Sequence, residues 1–352
     1  MTEQPNVQSP KTPAAVVAAA PEPYPIGLRE LGAVSAMLLM FVASQLLAVL
    51  LVQPFTSAGV KGYEDPTDWT NGLWLIGTIL VFTAVILFIA RLKREKFIQW
   101  IILGAVGMTL LYVFFPLLMQ VPGFDRVGSF DAQVLVSIAI SFPPAVFLTY
   151  LLYKFPEWYV VDVVGILVAA GGIAIFGTSF TPLTYLVVLV GTAIYDYISV
   201  YKTKHMLSLA DSVLNYHLPI MLVVPKHLDY SFLQESGQLR KEADAPVAPA
   251  AADASAPSAT TVKAKPRRDA MFLGLGDIVI PGIFALTALQ PGPGQSGFAA
   301  GGAMLGTIAG FLVLMSFVLR GRPQAGLPAL NGGALVGFVL GFYWEKGTFV
   351  FW

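Results

Sequence analysis

The sequence predicts an all-α protein that crosses a membrane many times. Three observations carry that expectation. Of 352 residues, 56% are hydrophobic and only 12% are charged, and mean hydropathy is +0.71, outside the usual make-up of a soluble domain. The apolar residues fall in successive runs of about 20, the length a helix needs to cross roughly 30 Å of hydrocarbon. Short polar stretches separate the runs, as loops must.

Residues 1–27 are rich in Pro, Ala and Gln and lack the basic-then-apolar order of a cleaved signal, so a disordered cytoplasmic tail is expected. Spans one to six are expected at 28–53, 73–90, 97–120, 132–153, 158–177 and 182–201. Pro116 in span three and Pro143-Pro144 in span four are expected to kink their helices. Spans seven to nine are expected at 270–289, 297–319 and 327–343, within a second membrane block at 270–345. That makes nine.

The interval 202–269 between the two blocks reads as a cytoplasmic loop. Met206, Ala210, Val213, Leu214 and His217 recur at helical spacing with polar residues between them, which predicts a short helix on the interface. The Pro-bounded run 219–225 is too short to span and β-branched enough to be extended. Residues 236–266 form an Ala/Pro/Ser linker with no material for a core.

Orientation follows from the basic residues. With the N-terminus inside and nine crossings, 18 of the 21 Lys and Arg fall on the cytoplasmic side, as the positive-inside rule requires. Only Lys61, Arg126 and Lys346 fall outside, and the C-terminus is placed outside with them.

Several function classes drop out. Formal net charge is zero, so no basic face invites nucleic acid. There is no Cys, which removes thiolate nucleophiles and Cys-type metal sites. His205, His217 and His227 are spaced by 12 and 10, not by the i,i+4 step of a helical metal site. Neither a metal nor a cofactor is expected.

Two aspartates stand where a carboxylate is costly, at roughly 2.5–3.5 kcal/mol near the centre of a membrane helix. Asp196 lies about six residues before the basic end of span six at Lys202, and Asp277 about seven past the start of span seven. At 1.5 Å per residue both are about 9–10 Å below the cytoplasmic surface. The two can therefore face each other. Carboxylates held together in a poorly hydrated site share one proton and titrate as a pair. Such a pair can take a proton from a water with one member and donate to a scissile carbonyl and leaving nitrogen with the other. It can also carry protons, so an ion-coupled transporter or channel is the alternative reading.

Gly274 and Gly276 leave the backbone before Asp277 uncovered. Pro328-Ala329-Leu330 stands at the start of span nine, level with the aspartates. Tyr195-Asp196, Gly274-Leu275-Gly276-Asp277 and Pro328-Ala329-Leu330 together resemble the three signatures of the presenilin and signal peptide peptidase intramembrane aspartyl proteases. Prepilin peptidases share GxGD alone, so the resemblance rests on three motifs in order. Small size, absent Cys and the run Pro328–Gly333 look most like the archaeal homologues.

That resemblance implies a presenilin-like nine-helix fold and an integral, multi-pass protein of an archaeal cell membrane. It implies Asp196 and Asp277 as the catalytic pair and transmembrane helices in the lipid bilayer as substrates. Tyr195, Gly274, Leu275, Gly276, Pro328, Ala329 and Leu330 would shape the site or bind substrate. Activity without other subunits and homo-oligomers are both compatible with it. It further implies that 219–225, or its neighbour near 269–273, pairs as a strand with an unwound substrate. A charge placed at Val223 is then expected to reduce cleavage without abolishing the fold.

Two other features have plainer readings. Asp162, four residues into span five, is expected to be an interfacial residue or the partner of a nearby Lys. The stripes Gly302/Gly306/Gly310 and Gly333/Gly337/Gly341 are expected to pack spans eight and nine together.

Overall fold

The structure, a computed structural model, describes residues 27–92, 95–203, 221–227, 230–231, 270–320 and 324–350. The expected tail, interfacial helix and Ala/Pro linker lie outside the described residues, as do His205 and His217.

Nine α-helices are described: α1 (Leu28–Ser57), α2 (Thr70–Arg91), α3 (Glu95–Met119), α4 (Phe130–Lys154), α5 (Trp158–Gly177), α6 (Pro182–Ile198), α7 (Leu275–Thr287), α8 (Gly297–Val318) and α9 (Gly326–Lys346). A π-helical turn, Ser199–Thr203, extends α6. Eight helices, α6 counted with its extension, are long and apolar enough to cross a membrane. Helices α3 and α4 run on through their internal prolines.

The seventh crossing differs from the expectation. Its first five residues form strand β2 (Ala270–Gly274), paired antiparallel with β1 (Met221–Pro225). Only 13 residues remain for α7, about 20 Å of helix. Glycine weakens helix locally, and here Gly274 is the extended residue before the first turn, with φ −64° and ψ 135°. The apolar run 219–225 is extended, as expected, over Met221–Pro225.

Helix α5 is the most buried of the long helices. It touches α1, α3, α4, α7 and β1. Helix α7 follows it in parallel: Leu275 approaches Gly165, Gly282 meets Ile173, and Gly177 abuts Leu286. Gly165 and Gly177 of α5 and Gly282 of α7 are what admit these neighbours. At the end of α5 and α6 away from Asp196, the α1–α2 loop closes the bundle. Gly62 N–H donates to Ser179 Oγ (2.6 Å) and Thr181 N–H to the Pro66 carbonyl (3.1 Å).

Helices α8 and α9 form a close hairpin, and both glycine stripes lie in it as expected. A Cβ on Gly306 would overlap the Gly333 carbonyl oxygen, and one on Gly337 the Gly302 carbonyl oxygen. Backbone meets backbone there, which only glycine permits.

Candidate active site

Asp196 occupies the last turn of α6 and is buried. Asp277 is the third residue of α7 and partly buried. Its side chain thus sits in a first helical turn, where backbone N–H groups and the helix dipole favour an acidic group. Because Leu275 packs beside Gly165 and α7 runs parallel to α5, Asp277 lies two residues further on, level with the third turn of α5, about 14 Å from that helix's start at Trp158. A strand and a short helix, not one long helix, bring Asp277 to the end of α6 that carries Asp196.

The two carboxylates meet at the start of α9. Asp196 Oδ2 accepts the Leu327 backbone N–H at 3.0 Å. A Cβ on Gly326 would lie 3.1 Å from Asp277 Oδ1 and 3.2 Å from its Oδ2. Adjacent backbone positions are therefore shared by the two acids, which lie within electrostatic range of each other. Donors of this kind are the unpaired N–H groups that open every helix, so α9 presents its N-terminus to the pair.

Helix α9 is held against α6 at three levels. Tyr201 Oη donates to Gln324 Oε1 at 2.5 Å, Asp196 takes the Leu327 N–H, and Asn331 Nδ2 donates to the Leu189 carbonyl at 2.8 Å. Asn331 also reaches Thr192 Oγ1 at 3.4 Å. A groove of about 350 Å³ opens between the two helices, lined by Leu189, Ala193, Tyr197, Pro328, Asn331 and Leu335 among others.

The motif residues take distinct places. Pro328 lines the α6–α9 groove. Its missing N–H costs nothing in a first turn. Ala329 turns its carbonyl towards Gly310 of α8, and Leu330 is fully buried in the main core. Leu275 packs on α5 at Gly165, while Gly276 is exposed with open space where a side chain would be. A Cβ on Gly274 would lie 3.4 Å from Asp277 Oδ2. Tyr195 precedes Asp196 but is 38% exposed, about 100° round the helix from it. Pro281 has no N–H for the Asp277 carbonyl four residues earlier, so that carbonyl is released from the helical ladder.

Two expectations are corrected. Asp162 is neither interfacial nor, among the described residues, paired with a Lys: it is 3% exposed, and Oδ1 accepts the Val223 backbone N–H at 2.7 Å. Val223 is itself 1% exposed, so a charge there would be buried and would test the fold before it tested substrate. Sequence reasoning missed Gly326, Leu327 and Asn331. The last was legible as a polar residue in an apolar span, directly after Pro328-Ala329-Leu330.

A family profile described as "Signal-peptide peptidase, presenilin aspartyl protease" matches residues 38–346. The chain belongs to that family. Among solved structures, a presenilin family intramembrane aspartate protease in a C222 crystal form matches with a TM-score of 0.57 and 33% identity, over 88% of this chain and 98% of that one. A presenilin family intramembrane aspartate protease in a P2 crystal form matches with a TM-score of 0.56 and 34% identity, over 87% and 96%. No match was found among curated proteins. This presenilin-family chain is accordingly an integral, multi-pass intramembrane aspartate protease, and the ion-coupled alternative finds no support in these comparisons.

Proposed function

We propose that Asp196 and Asp277 are the catalytic pair, and that the protease hydrolyses peptide bonds within transmembrane segments that unwind to reach it. The observation that carries this reading is the convergence of both carboxylates on the Gly326–Leu327 backbone. The ionised member removes a proton from an attacking water. The protonated member hydrogen-bonds the scissile carbonyl, then protonates the departing nitrogen. This chemistry asks for no metal and no covalent intermediate.

In this reading Gly276 supplies bare backbone beside the dyad, and Pro328 and Tyr195 border the approach from α6. Leu275, Ala329 and Leu330 act by packing, fixing where Asp277 and the start of α9 stand. Gly274 keeps the space next to the Asp277 carboxylate open. The excess of Lys and Arg supports a cytoplasmic N-terminus, tail 1–27 and interval 202–269, and the likeness to archaeal homologues supports an archaeal host. Substrates then enter with their N-terminus outside, and the chain works without another subunit.

The deciding experiment reconstitutes the purified enzyme with one model transmembrane peptide and weighs the products by mass spectrometry. Asp196→Asn and Asp277→Asn should each abolish cleavage while the protein stays monodisperse. Wild-type turnover in either variant would remove that residue from the pair.

A further inference from the structure

A second fully buried carboxylate, besides Asp196, stands outside the dyad. Asp162 is on the face of α5 that also carries Gly165 and Ala169, all three buried and spaced i, i+3, i+7. That face receives the two-stranded sheet and the start of α7. A Cβ on Gly165 would lie 2.6 Å from Leu222 Cδ2 of β1 and 3.4 Å from Leu275 Cδ2 of α7. One facet of α5 thus seats both partners of the segment that delivers Asp277.

The hydrogen bond from Val223 shows which edge of the sheet Asp162 holds. In an antiparallel pair, backbone groups point alternately to the partner strand and away from it. Val223 N–H goes to Asp162, so the ladder bonds fall at Leu222↔Leu273 and Val224↔Met271 in the observed register. Asp162 therefore occupies the edge of β1 that faces away from β2. Two residues on, Pro225 lies on the same edge and has no N–H to offer. A two-stranded sheet is not stable by itself and depends on what it packs against. In poorly hydrated surroundings its edge groups must also be paired. Asp162 meets both needs at once. Its Oδ2 is buried and has no hydrogen-bond partner among the described residues, so the carboxyl is a poor choice for stability alone.

Resting on the reading of Asp277 as catalytic, we propose that Asp162 is a positioning residue of the protease: by accepting the Val223 N–H it fixes the sheet on α5, and so fixes where Gly274 hands the chain to Asp277. Asp162 then sets the register of cleavage as well as its rate.

The test uses the purified full-length enzyme, one model transmembrane peptide, product masses, kcat, KM and the thermal midpoint. Asp162→Leu fills the same space without an acceptor. It should lower kcat roughly 10–100-fold, the scale expected for misplaced catalytic groups, and spread cleavage over neighbouring bonds. KM should stay within about twofold, because uniform binding is untouched. Asp162→Asn keeps an oxygen for Val223 and should restore most of the rate and the original cleavage bond. Asp162→Leu with wild-type rate and products overturns the proposal, as does Asp162→Asn behaving like Asp162→Leu. A loss of rate matched by a thermal midpoint below the assay temperature in both variants also overturns it, since the role is then structural. If the wild-type enzyme cleaves nothing, the dyad reading falls and takes this proposal with it; an active wild type separates the two failures.

Discussion

Asp196 and Leu327 are joined by a 3.0 Å hydrogen bond in which the backbone N–H of α9 donates to the buried carboxylate of α6. In the proposed reading the acid is both a member of the dyad and a cap for another helix. Its two roles can be separated. Asp196→Asn keeps an oxygen for Leu327, whereas Asp196→Ala leaves that buried N–H without an acceptor, at about 1–3 kcal/mol. Both variants should be inactive, and only Asp196→Ala should lose stability by that amount in thermal unfolding. Equal midpoints would mean that the cap contributes nothing.

Gly326 makes the complementary case from the Asp277 side. A methyl group there meets the carboxylate at 3.1–3.2 Å, tighter than ordinary contact, and it meets a side chain that can swing aside. Gly326→Ala should therefore fold normally and lose kcat by roughly 10–100-fold as the dyad opens. Steady-state kinetics beside a thermal scan decides it: unchanged kcat would show that Asp277 has room to spare.

How much of this was legible in the sequence depends on how local each signal is. Asp196 and Asp277 announce themselves, because a carboxylate in an apolar run needs a reason. That the two can face each other follows from span lengths alone. The strand before Asp277 does not, because Ala270–Gly274 is as apolar as the helix after it. Its partner β1 ends 45 residues earlier, at Pro225, and periodicity within a window cannot see such pairing. Asp162 failed for the same reason. Its partner is the backbone of Val223, 61 residues away, and backbone partners leave no mark in a side-chain pattern. The glycine stripes were legible because their repeat is their function.

Those stripes give a stability prediction with an internal control. Gly306→Ala or Gly337→Ala would force a methyl group onto a facing carbonyl oxygen, and backbone cannot step aside as a side chain can. Either change should cost about 1–3 kcal/mol, the usual range for overpacking. Gly301, on the same helix, has nothing within 4 Å of an added Cβ. Gly301→Ala should be neutral or slightly stabilising, since alanine is the better helix former. If all three substitutions shift the thermal midpoint alike, α8 and α9 are not in backbone contact.

Asn331 separates stability from turnover. Its Nδ2 ties α9 to the Leu189 carbonyl and Thr192 of α6, one turn below Asp196, while its Oδ1 is buried with no partner among the described residues. A buried unsatisfied oxygen is a cost, and replacing such a group with an apolar one of similar size is often neutral or stabilising. Asn331→Leu should therefore keep or raise the thermal midpoint. The same change removes the tie that sets α9 against α6, so Leu327 no longer meets Asp196 in one fixed place. Turnover should fall by about tenfold, the pattern expected where a protein gives up stability for a placed functional group. Measuring kcat and the midpoint on one preparation checks both halves. A variant that loses stability and activity together would make Asn331 a plain structural contact.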